Sequence, residues 1–143
     1  MRDNIISHWK LAAILALCIV FLSWGGCSDK GNAESPRVVI KAYLNIQSGC
    51  QGEVIDLLEG FKKKYPGKVK IEYIDLGTKK GLEQTLKANL HCMTILVNGK
   101  QTFKLRNKAG EIKTVIFSHP MGLQWKAEDL GMAVKQEIER MYK

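Results

Sequence analysis

The sequence predicts an α/β domain in which a central mixed sheet is flanked by helices. A segment that alternates apolar and polar residues, 38–46, is followed by apolar residues at helical spacing and then by a second strand-like run. Farther along, Asn98-Gly99 separates two short strand-like runs, and this dipeptide is the strongest short-range signal of a hairpin. A crossover unit followed by a hairpin indicates a sheet that mixes parallel and antiparallel strands.

The first half of the domain has the pattern strand, helix, strand. Every second residue of the first strand is apolar: Val38, Ile40, Ala42, Leu44 and Ile46. The helix that follows ends before Pro66-Gly67, and its apolar stripe consists of Val54, Leu57, Leu58, Phe61 and Tyr65. Residues 69–74 form the second strand, and the span between the strands is long enough for a parallel crossover.

The second half adds a weak helix, three strands and a C-terminal helix. The weak helix carries Leu82, Leu86 and Leu90 at helical spacing. Residues 93–97 form the third strand, 102–106 its antiparallel partner and 112–117 an extra edge strand. Acids occupy the first turn of the last helix, where the helix dipole favours them, and its apolar stripe is Leu130, Ala133, Val134, Ile138 and Met141.

Residues 1–27 have the layout of an export signal. An uncharged apolar run, 11–24, follows Arg2 and Lys10 and ends at Gly25-Gly26-Cys27, and it is short for a membrane span, which needs about 20 apolar residues. The Gly-Gly-Cys end resembles the lipobox of bacterial lipoproteins, which implies lipidation of Cys27. A cleaved signal peptide and a retained membrane anchor are the alternatives.

Residues 28–36 predict a flexible polar linker, which leaves 37–143 for the folded domain. We therefore expect a membrane-tethered protein of the cell envelope whose domain lies outside the cytoplasm, facing the periplasm or on the cell surface. The chain has 22 Lys and Arg against 14 Asp and Glu, a net charge of +8. Because these basic residues are dispersed and lack interleaved aromatic residues, we expect no nucleic-acid site.

The run VVIKAYLNIQSGCQGEVIDLLEGFKKKYPGKVKIEYIDL, together with LHCMTILVNGK, resembles a divergent thioredoxin-like domain. In that family a C-x-x-C motif lies at the start of the first helix, and a cis-proline precedes the third strand. Here the motif falls on residues 47–50, of which Cys50 alone is a cysteine, and Met93 occupies the proline position. Because a cis bond before a non-proline residue costs about 3 kcal/mol, we expect a trans bond there.

The same resemblance implies that Cys92 lies beside the helix start that carries Cys50. Thiol–disulfide chemistry with a protein partner would then have Cys50 as the attacking thiolate and Cys92 as the resolving thiol. Gly49, Met93 and Thr94 would contact the extended substrate segment. This chemistry needs no cofactor.

Two other interpretations of the cysteines stay open. In an oxidising compartment the pair would form a structural disulfide, and the domain would then be a binding module. Cys50, Cys92 and Met93, with His91 nearby, are also soft ligands of the type that selects Cu(I), so a copper carrier is possible. Outside this region we expect Trp125 to be a packing anchor and His119 to be a turn residue.

Overall fold

The computed structural model describes residues 35–49, 51–107 and 109–143, which all belong to one structural unit. Its elements are β1 (Val38–Leu44), α1 (Gly52–Lys64), β2 (Val69–Asp75), α2 (Lys79–Lys87), β3 (Thr94–Val97), β4 (Thr102–Arg106), β5 (Ile112–Ile116) and α3 (Ala127–Met141). The predicted α/β class and element order are confirmed. The export signal with Cys27, most of the linker, and Cys50 lie outside the described residues. Within the described ranges, no helix is long and apolar enough to span a membrane.

β1 is the central strand of a mixed sheet of order β2-β1-β3. It pairs parallel with β2 and antiparallel with β3, so that Ile40 lies opposite both Ile71 and Val97. The predicted apolar face is fully buried as far as Leu44. Ile46 was expected on that face, but β1 ends at Leu44, and Ile46 lies in a short 3-10 turn with 41% of its surface exposed.

The buried face of β1 packs against α1 and α3, which share one core with it. α1 contributes Val54, Leu58 and Phe61, and α3 contributes Leu130, Val134 and Ile138. These are the residues that the helical spacing selected, so both predicted stripes are confirmed.

The Asn98-Gly99 turn is confirmed, but the hairpin contains only one hydrogen-bonded residue pair. Both residues have positive φ, 50° and 76°, as a type I′ turn requires, and Val97 and Lys100 exchange two backbone hydrogen bonds of 2.9 and 3.0 Å. Beyond this pair the Ile95 N–H donates to the Phe117 carbonyl at 2.8 Å, and β4 pairs with β5 and not with β3.

The strands therefore divide into a three-stranded and a two-stranded sheet, where one continuous sheet was expected. The cause is the end of β5. Phe117 is fully buried, with its ring centroid 5.9 Å from that of Phe103 and 5.3 Å from that of Trp125. The packing of these three aromatic rings keeps Phe117 beside β3, in the position that the continuation of β4 would otherwise occupy.

A buried polar network links the turn to the last helix. The Asn98 side chain accepts a hydrogen bond from the Val39 N–H at 2.8 Å and donates one to the Glu137 carboxylate at 3.0 Å. That carboxylate also accepts from Lys100 at 2.9 Å and from Arg140 at 2.5 Å. Burial raises the pKa of Glu137, but hydrogen bonds from Arg140, Lys100 and Asn98 outweigh this effect and lower it to about 2.

α2 does not bury the leucine stripe that its spacing suggested. Its buried residues are Gly81 and Thr85, whereas Leu82 and Leu86 are exposed, Leu86 by 69%. A Cβ added at Gly81 would collide with the Asp75 carbonyl oxygen. The helix therefore packs against the end of β2 through Gly81, its smallest residue, and Leu82 and Leu86 remain exposed to solvent.

Candidate functional site: the Cys92 turn and the start of helix α1

The loop between β1 and α1 leads into position 50 through a tight turn. After the 3-10 turn, Gly49 adopts φ of 67°, a left-handed conformation that suits glycine, and it is exposed. Gln51 precedes the first helical residue, and its carbonyl accepts hydrogen bonds from Val54 and Ile55 at 3.1 Å each. Cys50 thus lies in sequence between an exposed glycine turn and the start of a helix, as the sequence predicted.

Cys92 lies in a turn of residues 91–93 that leads into β3. Cys92 is exposed to solvent. Met93 has φ of 67°, uncommon for a residue with a side chain, and its N–H donates to the Tyr43 carbonyl at 2.7 Å. No peptide bond of the described residues is cis, which confirms the expected trans bond before Met93. The turn takes its shape from this left-handed residue.

A side-chain contact joins the two segments. The Gln51 side-chain N–H donates to the Cys92 sulfur at 3.4 Å. Gln51 is only 5% exposed, so this amide is held within the structure and directed at the thiol.

Two buried oxygen atoms at this site have no hydrogen-bond partner among the described residues: Gln51 Oε1 and Thr94 Oγ1. Buried polar atoms are almost always paired, and an unpaired one costs about 1–3 kcal/mol. Both lie within three residues of a cysteine position.

The other residues predicted to contact a substrate lie at different depths. Gly49 is exposed and Met93 is half-buried, but Thr94 is fully buried, and its N–H donates to the His91 carbonyl at 3.3 Å. Their contact with a substrate stays a prediction. Gln51 was not singled out from the sequence, because the atom it contacts is 41 residues away.

The remaining candidates behave as packing and turn residues. Trp125 is 2% exposed and its indole N–H donates to the His119 carbonyl at 2.7 Å, which confirms it as an anchor. His119 is exposed in a turn, with its Nδ1 3.0 Å from the Ser118 hydroxyl. No group of three or more His, Cys, Asp or Glu side chains in the described ranges could hold a metal ion. The copper interpretation therefore depends on Cys50, which lies outside those ranges.

Comparison of the chain with protein-family models, with characterised proteins and with solved structures finds no match.

Proposed function

We propose that the chain is an exported, membrane-tethered protein whose thioredoxin-like domain carries out thiol–disulfide exchange through Cys50 and Cys92. One observation carries the proposal: the side chain of Gln51, the residue after Cys50, donates a hydrogen bond to the exposed Cys92 sulfur. The central parallel and antiparallel strand pairs and the Asn-Gly turn support the thioredoxin-like assignment.

We assign the first attack to Cys92. Gln51 directs a hydrogen-bond donor at the Cys92 sulfur, and this sulfur belongs to an exposed residue that a partner disulfide can reach. The Cys92 thiolate attacks one sulfur of the partner disulfide, forms a mixed disulfide and expels the other partner sulfur as a thiolate. Cys50, after loss of its proton, attacks the Cys92 sulfur and releases the second partner thiolate, so the partner gains two electrons and the cysteine pair loses them.

Thiol mapping of the full-length protein tests this proposal. Without reductant, tryptic peptides that contain Cys50 and Cys92 should be disulfide-linked, and with reductant both should be alkylated. The reduction potential of the pair should lie above about −230 mV. Free thiols under oxidising conditions would refute the proposal, and a potential below about −300 mV would indicate a structural disulfide in a binding module.

The Gln51 contact predicts an effect on the reactivity of Cys92. In a Cys50→Ser background, Gln51→Met should slow iodoacetamide alkylation of Cys92 about fivefold, because the reacting sulfur loses a hydrogen-bond donor of roughly 1 kcal/mol. Alkylation is read by mass spectrometry of the Cys92 peptide, so the other cysteines do not interfere.

Gln47→Met is the matched control, because Gln47 belongs to the same loop but is exposed. It should leave the alkylation rate unchanged. Equal alkylation rates for Gln51→Met and Gln47→Met would show that Gln51 does not act on the sulfur.

Membrane attachment is tested at Cys27. Labelling of bacteria that express the full chain with a palmitate analogue should modify the protein, and Cys27→Ser should abolish the label, since lipidation requires that thiol. Cys18→Ser, within the apolar run, is the control and should retain it. An unlabelled wild-type protein in the membrane fraction would favour a retained anchor, and one in the soluble exported fraction a cleaved signal peptide.

A further inference from the structure

A groove of about 700 Å³ separates α2 from the sheet. Its floor includes Lys41, Tyr43 and Glu72 of β1 and β2, and its wall includes Lys80 and Lys87 of α2. The residues that α2 buries, Gly81 and Thr85, are small, so no long apolar side chain fills the space between helix and sheet. The volume falls in the range of ligand-binding clefts, about 300–1,000 Å³.

The side chains that line this groove carry a net positive charge. Glu72 is paired with Lys70 at 2.8 Å and Lys41 at 3.4 Å, and the hydrogen bond from Lys70 is the main reason that its pKa is lowered. Asp75, at the groove end, accepts hydrogen bonds from the N–H groups of Ile46 at 3.2 Å and Gly77 at 2.9 Å.

Lys80 and Lys87, by contrast, form no ion pair with any described residue. They are seven positions apart on one helix, a rise of about 10 Å along its axis. A chain in extended conformation covers this distance in about three residues. Two acidic side chains about three positions apart on an extended segment would therefore match the two ammonium groups.

The groove reaches the neighbourhood of the reactive turn. Tyr43 lines it, and the Tyr43 carbonyl accepts the hydrogen bond from the N–H of Met93, the residue after Cys92. Tyr43 is also the register partner of Thr94 in the β1–β3 pair. Tyr43 therefore borders both the groove and the turn that carries the exposed thiol.

We propose that this groove binds an acidic, extended segment of the protein partner, adjacent in the partner's sequence to the cysteine that reacts with Cys92. The inference rests on the proposed exchange function and adds the chemical class of its partner. A concave groove whose unpaired lysines, Lys80 and Lys87, lie on one wall suits a narrow chain better than the broad surface of a bilayer.

Binding is tested without sulfur chemistry. Full-length protein with Cys50→Ser and Cys92→Ser, in nanodiscs of zwitterionic lipid, is titrated into a short fluorescein-labelled peptide that carries two aspartates three positions apart and no cysteine. Its Kd should be at least about fivefold lower than that of the same peptide with lysines in place of the aspartates, as expected for two exposed ion pairs. The double variant Lys80→Glu/Lys87→Glu should abolish this preference.

Lys63→Glu/Lys104→Glu is the control, since both lysines are exposed, lie outside the groove and form no ion pair with a described residue. The net charge changes equally, so the preference should remain. Equal losses in both double variants, or no preference in the unmodified groove, would overturn the inference. Loss of the preference in phosphatidylglycerol nanodiscs would assign the lysines to the membrane surface and would also overturn it. Because no thiol takes part, these outcomes are independent of the cysteine mapping.

Discussion

Cys92→Ser is expected to reduce the rate of disulfide exchange by the full-length protein at least about 100-fold, because it removes the attacking sulfur. The assay follows reduction of a small aromatic disulfide by the pre-reduced protein. Cys50→Ser should instead stop after the first step and accumulate a mixed disulfide at Cys92. Mass spectrometry of the intact protein then shows one added partner thiol.

The two serine variants control one another. Both replace a sulfur by an oxygen, so a difference between them reports the order of attack and not a change in packing. Accumulation of the mixed disulfide in Cys92→Ser and not in Cys50→Ser would show that Cys50 attacks first, as the thioredoxin resemblance implied. Full exchange activity in both variants would exclude the pair as the reactive site.

Glu137→Gln is expected to lower the free energy of unfolding at pH 7 by about 2 kcal/mol. The lowered pKa of Glu137, about 2 against an ordinary 4.5, means that its ionised form is stabilised in the folded state. This loss is smaller than the full free-energy equivalent of the pKa shift, because the Lys100 and Arg140 side chains are half-exposed and water screens their charges. This contribution is fully present above pH 4.5 and is lost as the pH falls towards 2.

Urea unfolding of the full chain, followed by circular dichroism from pH 7 to pH 2, measures this effect. The wild type should lose its advantage over Glu137→Gln within that window. Glu139→Gln is the matched control, since Glu139 is exposed and its partner Lys135 is 3.7 Å away. A constant difference between wild type and Glu137→Gln down to pH 2 would contradict the assignment of the pKa shift to the Asn98–Lys100–Arg140 network.

The candidate site was predictable in part. The helix start after position 50 follows from the helical spacing of apolar residues that begins at Val54. The loop around Cys92 and its place near that helix start were implied by the thioredoxin resemblance alone. Gln51 was missed because its role depends on an atom 41 residues away, and a single glutamine has no local pattern that marks such a contact. The groove was missed because it arises from the way α2 lies on the sheet.

The sequence by itself determined the order of the elements, the buried face of β1 and the stripes of α1 and α3, because alternation and helical spacing are local consequences of which side chains avoid water. Only the tertiary structure decided two further features. The strands divide between two sheets because Phe117 occupies the place beside β3 that the continuation of β4 would take. The buried face of α2 is the one that carries Gly81, because a larger residue such as leucine would not fit there. These outcomes depend on the shapes of residues distant in the chain, so they have no signature in any one segment.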